Sequence, residues 1–203
     1  MHPGLDPAAV ARDYAAAGAA AISVLTDRHF KGSLEDLRAV RAAVALPILR
    51  KDFIFDAWQI YEARAAGADC ILLIAAMLEA AQLRSLAALA RDLGMAVLVE
   101  AHDRHEFDMA TASGAALIGI NNRDLHTFKT DLATTETLLA DYKGAALIVA
   151  ESGIETPADL RRLYAAGARA FLIGESLLRA GAPRTALAAL VEGFGAAAEA
   201  AAR

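Results

Sequence analysis

Apolar and polar positions along the chain fall into a repeated phrase. An alanine-rich stretch runs into a glycine, and a short apolar run follows. Ala16-Ala17-Gly18-Ala19 leads into Ala21-Ile22-Ser23-Val24-Leu25, and Ala65-Ala66-Gly67-Ala68 into Cys70-Ile71-Leu72-Leu73-Ile74. Ala112-Ser113-Gly114-Ala115 leads into Leu117-Ile118-Gly119-Ile120, and Ala165-Ala166-Gly167-Ala168 into Phe171-Leu172-Ile173. Each phrase reads as a helix ended by a left-handed glycine cap and followed by a strand. The units between are found the same way. Leu46-Pro47-Ile48-Leu49 follows a helix over 33–44, Gly94 to Val99 follows one over 79–92, and Gly144 to Val149 follows one over 132–142. The pattern predicts seven strands, near 21–25, 47–50, 70–74, 96–100, 117–120, 146–150 and 170–173, each followed by a helix. Their near-continuous apolar character suits a parallel sheet covered on its outer face.

Strand–helix alternation without a composition break predicts one βα domain over 1–203. Two architectures compete, an open doubly wound sheet and a closed barrel. No Gly-x-Gly-x-x-Gly follows an early strand, which disfavours the dinucleotide-binding version. The quasi-regular strand repeat favours the TIM (βα)8 barrel. Such a barrel has eight strands and typically about 250 residues, whereas this chain has 203. It also opens with a helix, Asp6 suiting the N-cap and Pro7 the first helical position. A βα series that opens on a helix predicts a barrel lacking strand 1, incomplete at the N-terminus.

Composition narrows the function classes. Hydrophobic residues at 57% and charged residues at 22% fit a folded globular chain rather than a disordered one. The net charge is −5, with acids and bases interleaved and no basic stripe, so neither nucleic acid nor a membrane surface is expected as a partner. A small anionic substrate stays open, because a local site can be positive on an acidic protein. The lone cysteine, Cys70, excludes an internal disulfide and reads as a small buried hydrophobe. No apolar stretch approaches a membrane span, and the start does not read as a signal peptide, so a cytoplasmic protein is expected.

Barrel enzymes carry their chemistry at the C-terminal strand ends and in the loops beyond. Those positions hold Thr26 and Asp27, then Arg50, Lys51 and Asp52, then Glu100 with His102. Asn121, Asn122 and Arg123 follow, and the last two strands end in Glu151-Ser152-Gly153 and Gly174-Glu175-Ser176. Lys51 ends an apolar strand, where low-dielectric walls would lower its pKa towards acid–base use; a solvated strand-end lysine is the alternative. Burial would raise the pKa of Glu100, unless it pairs with Arg123 or Lys51. His102 and His105 flank Asp103 and Glu106, but no supporting ligand cluster falls on neighbouring strands, so no metal is expected. Asn121, Asn122 and Arg123 suit hydroxyls and a carboxylate, although an Asx turn explains one asparagine equally well. Ser152, Gly153 and Gly174 lie where barrels build a phosphate site from backbone N–H groups.

The strings Leu49-Arg50-Lys51-Asp52-Phe53-Ile54, Leu98-Val99-Glu100, Ile118 to Leu125, Ala150-Glu151-Ser152-Gly153-Ile154 and Phe171 to Leu177 resemble the indole-3-glycerol phosphate synthase family in order and spacing. Ser23 to Thr26 with Phe30-Lys31-Gly32-Ser33 resembles that family's second strand and loop. The resemblance covers nearly the whole chain. It implies closure of 1-(2-carboxyphenylamino)-1-deoxyribulose 5-phosphate to indole-3-glycerol phosphate with loss of CO2 and water, without metal or cofactor. By position, Lys51 matches the proposed general acid, and Glu100 the carboxylate of the later proton transfers. Asn121 and Arg123 match groups that orient the substrate, with Glu151 beside them. Ser152, Gly153, Gly174 and Glu175 match the phosphate site. Phe53, Leu125 and Ile154 match the pocket around the aromatic ring, with Phe30 in a loop over it.

One family feature has no counterpart here, a first strand carrying a Glu-x-Lys-x-x-Ser-Pro-Ser-like motif. Its absence predicts two unpaired sheet edges and a site short of two charges. Two alternatives follow: a phosphate-binding fragment inactive until it acquires the strand, and a sister barrel such as phosphoribosylanthranilate isomerase. Lys51-Asp52-Phe53 and Glu100 fit the synthase better. A monomer is expected once the strand is restored.

Overall fold

A computed structural model describes residues 5–124 and 127–201, with side chains through residue 195. Seven strands form one sheet: β1 (Ile22–Leu25), β2 (Ile48–Lys51), β3 (Cys70–Ile74), β4 (Ala96–Ala101), β5 (Leu117–Asn121), β6 (Leu147–Glu151) and β7 (Ala170–Leu172). All neighbours are parallel and their spatial order is their chain order. The helices alternate with them: α1 (Pro7–Ala16), α2 (Leu34–Ala43), α3 (Ala57–Ala66), α4 (Ala80–Asp92), α5 (Arg104–Ala112), α6 (Ala133–Leu139), α7 (Pro157–Ala166), α8 (Glu175–Arg179) and α9 (Pro183–Ala201). The arrangement is a curled parallel sheet wrapped by helices, a TIM-like α/β fold. No helix among the described residues is long and apolar enough to cross a membrane.

Local chemistry sets the element boundaries. Asp6 accepts a hydrogen bond from the Ala8 N–H and Pro7 takes the first position of α1, as the sequence predicts. Asp56 with Gln59, and Thr156 with Asp159, form reciprocal capping boxes on α3 and α7. The four repeated glycines all have positive φ, from 72° at Gly114 to 121° at Gly167. Three details depart from the sequence expectation. The helix expected over 132–142 is only Ala133–Leu139, β7 is followed by two helices rather than one, and an antiparallel bridge joins Arg123 and Thr130 between β5 and α6.

Two cores lie on opposite faces of the sheet. The larger packs outward-facing Ile48, Ile71, Leu73, Val97, Val99, Ile118, Ile120 and Ile148 against helix residues such as Leu37, Ile60, Leu83, Phe107 and Leu163. The smaller lies inside the curl and contains Leu49, Leu72, Ile74 and Leu98, with Cys70, Leu117, Val149 and Leu172 around it. Burial pushes the Cys70 thiol up to about 12, so it behaves as an inert apolar side chain. Side chains alternate faces along a strand. Lys51 therefore shares the inner face with Leu49, Glu100 with Leu98, and Glu151 with Val149. The interior has an apolar floor and a charged rim at the C-terminal strand ends.

β1 and β7 each pair on one side only among the described residues. The helical layer, in contrast, is continuous around this gap: α1 packs against α2 on one side and α9 on the other.

Candidate active site

Three inner-face side chains converge on the rim. Lys51 Nζ lies 2.9 Å from Glu100 Oε2 and 3.0 Å from Glu151 Oε2. Both carboxylates are buried, with side chains only 4% and 2% exposed, and Lys51 is the most accessible of the three at 23%. A flat sheet would hold β2 and β6 about 19 Å apart, four interstrand spacings. The contact between Lys51 and Glu151 therefore measures how far the sheet has curled. Glycine at 119 makes room for the cluster, because a Cβ at that position would overlap Glu151 Oε1.

Charge is divided unequally among the three. Burial alone would lower the Lys51 pKa, but Glu151 and Glu100 outweigh it and hold the ammonium well above its ordinary value. This reverses the fall expected from the sequence, because carboxylates rather than apolar walls face the nitrogen. Burial would raise Glu100, but His102 and Lys51 together hold it far below the usual carboxylate range. Glu151 goes the other way. Burial raises it, the neighbouring Glu100 charge adds to that, and Lys51 offsets only part. Glu100 has two cationic partners and Glu151 one, so Glu151 is the carboxyl whose surroundings favour the protonated form.

Arg50 points to the opposite face. Its guanidinium donates to Asp52 at 2.9 Å, to the Gln59 carbonyl at 2.7 Å and to Glu62 at 3.4 Å, and its side chain is 4% exposed. Thr26 completes this network, donating to Asp52 at 2.6 Å. Thr26, Arg50 and Asp52 thus tie β1 and β2 to α3 and stand outside the rim cluster. Beyond the strand ends, Phe53 and Phe30 stack with centroids 6.1 Å apart.

The two asparagines divide the work. Asn121 Oδ1 accepts from the Arg123 N–H at 3.1 Å, an Asx turn. Asn122 is buried and saturated: its amide donates to the Glu151 and Ser152 carbonyls and accepts from Thr135 N–H and hydroxyl. It thereby anchors a strained turn, for Ser152 has φ +64° and Gly153 φ +75°. A left-handed serine costs energy and is retained where the surroundings over-determine it, commonly at ligand-binding turns. Ser176 Oγ donates to the Ile154 carbonyl at 2.8 Å, joining this turn to α8, whose N-cap is Gly174. Among the described residues, no heavy atom beyond its chain neighbours lies within 4 Å of a Cβ built on Gly174, so space opens above it.

The remaining predicted positions are placed as follows. Arg123 is ion-paired with Glu175, across the mouth between the loops after β5 and β7. Ile154 is 2% exposed and belongs to the outer core. Leu125 lies outside the described residues. His102, two residues after Glu100 and four before Glu106, contacts both of them, a spacing visible in the sequence.

Comparison with known proteins points to one family. The model of the family "Indole-3-glycerol phosphate synthase" matches residues 1–190. The indole-3-glycerol phosphate synthase of Polaromonas sp. strain JS666 is 54% identical over 185 residues, which are 91% of this chain and 70% of that protein. That of Chromobacterium violaceum is 53% identical over 191 residues, 94% of this chain and 72% of its own length. Among solved structures, thiamine phosphate pyrophosphorylase from Pyrococcus furiosus superposes with a TM-score of 0.72 at 16% identity, covering 93% of this chain and 89% of its own, a likeness of fold alone. The chain belongs to the indole-3-glycerol phosphate synthase family, carbon–carbon lyases of tryptophan biosynthesis.

Proposed function

We propose that the rim cluster of Lys51, Glu100 and Glu151 closes 1-(2-carboxyphenylamino)-1-deoxyribulose 5-phosphate to indole-3-glycerol phosphate, releasing CO2 and water. The observation that carries this is the ammonium held between two buried carboxylates at the C-terminal rim. A substrate ketone oxygen entering the rim takes the place of one carboxylate beside Lys51. The ammonium then stabilises the negative charge that develops as the ring carbon attacks. Withdrawal of a carboxylate also removes part of what raises the Lys51 pKa, so its proton becomes easier to give at that moment. Glu100, kept ionised, accepts a proton in the later steps, and Asn121 and Arg123 orient the hydroxyls and carboxylate.

The phosphate is assigned to the strained turn Ser152-Gly153 and to the open space at Gly174; binding there draws Arg123 away from Glu175. Phe53 and Phe30 border the aromatic ring. We further propose that an eighth strand fits between β1 and β7. The continuous helical layer across that gap supports this, since α1 and α9 already meet where such a strand would lie beneath them.

The test is the fluorescence of indole-3-glycerol phosphate formed by the chain alone and with a peptide carrying a Glu-x-Lys-x-x-Ser-Pro-Ser strand. Turnover only with the peptide supports both assignments. Turnover by the chain alone removes the need for the strand. Absence of turnover in both, with folding shown by circular dichroism, favours a phosphate-binding fragment.

A further inference from the structure

His102 is a partly buried ionisable group that the reaction above leaves unused. It follows β4 directly, and its side chain is 11% exposed. Nδ1 lies 2.9 Å from Glu106 Oε2, and that oxygen also accepts from the His102 backbone N–H at 2.8 Å. Glu106 is itself fixed, since its own N–H donates to Asp103, the N-cap of α5, at 2.8 Å. The ring is thus clamped from behind, and Nε2 faces Glu100 Oε1 at 3.2 Å, an ion-pair distance without the alignment of a full hydrogen bond.

This geometry restricts protonation. With Nδ1–H given to Glu106, an unprotonated Nε2 would turn a lone pair onto a carboxylate oxygen. Repulsion is relieved only if a proton lies between them. The other oxygen of Glu100 already meets Lys51. Each Glu100 oxygen therefore faces its own cation.

We propose that His102 is a positioning residue for Glu100: clamped by Glu106 as an imidazolium, it holds Glu100 ionised and turned towards Lys51. This rests on the reading of Glu100 as the reacting carboxylate. The charged groups facing the ring agree with it. Glu100 lies on β4 and Glu106 on α5, while Lys51 from β2 and Glu151 from β6 stand beyond Glu100. The turn Ala75–Met77, which packs against α5, has no ionisable side chain. Burial would depress the imidazolium, but the two carboxylates outweigh it and hold its pKa up to about 9.

The test reads the ring directly. In the chain labelled with 15N-histidine and assigned with His102→Gln, both ring nitrogens should be protonated at pH 7.5. The midpoint should fall by about 1 to 3 pH units in Glu106→Gln, which removes one facing charge on the accessible side. A wild-type midpoint at or below the ordinary histidine value, or one that Glu106→Gln leaves in place, overturns the proposal. In the form that turns over, His102→Gln should lower kcat about tenfold with KM little changed, because Glu100 stays ionised but is no longer held in place. Unchanged kcat would also overturn it. Full turnover by Glu100→Gln would instead remove the catalytic reading of Glu100, while the ring titration stood on its own.

Discussion

Arg50 and Lys51 are adjacent on β2 but point to opposite faces, so truncating each tests a different link between structure and activity. Arg50→Ala strands the buried Asp52 and leaves Glu62 without its partner. Loss of one member of a buried charge network costs about 3–5 kcal/mol, so the expected result is a lower denaturation midpoint. Lys51→Gln also leaves two buried carboxyl groups without their cation, so the midpoint falls here too. In addition, turnover per folded molecule should fall by about 10²- to 10⁴-fold, whereas Arg50→Ala should largely spare it. The reverse pattern would exchange the two assignments. A second expectation concerns pH. The His102 pKa is raised in the folded chain, so its contribution to stability is fully present below the unfolded value and is lost as pH rises towards about 9. Melting temperature should decline over that interval in the wild type and decline less in His102→Gln; parallel curves would count against the pairing. Lys51 and Glu100 were legible as candidates because each ends an apolar run with a charge. The sign of the Lys51 shift was not legible, since its partners lie 49 and 100 positions away along the chain and only the curl brings them together.

At the scale of elements, the strands could be read because glycine punctuation and apolar runs are both local signals. The loop after β5 could not: the Arg123–Thr130 bridge joins polar residues with no alternating pattern, and its register depends on Asn122 and Thr135 anchoring it from beneath. Asn122 shows the same limit, for its neighbour Asn121 has the same chemistry and only burial separates their roles. β5 also contains a feature that propensity would mark as a weakness, a glycine in the middle of a strand. Its value is the space it leaves. Gly119→Ala places a methyl where Glu151 Oε1 now lies and 3.4 Å from a Leu98 methyl. The carboxylate, as the mobile end, is expected to swing away from Lys51. Turnover should drop while the far-ultraviolet circular dichroism stays the same; full activity would show that Glu151 need not touch Lys51.

For the whole molecule, the edges of β1 and β7, unpaired among the described residues, predict association, because exposed strand edges template pairing with other chains. Adding a strand peptide should raise the melting temperature and shift size-exclusion elution towards the monomer. An unchanged profile would mean that the edges are already protected. The larger architecture followed from the sequence because alternation alone limits a βα series to few topologies. Closure was beyond it, since no local pattern records how tightly a sheet bends. The rim cluster links these matters mechanically. Lys51 is a chord stretched across an arc, fastened on β2 and held by β4 and β6. On the proposed reading, a substrate oxygen that draws the ammonium away slackens the chord, and the expected outcome is a wider arc. A pair of spin labels at the ends of β2 and β6 would serve as its ruler, and an unchanged distance on ligand addition would count against it.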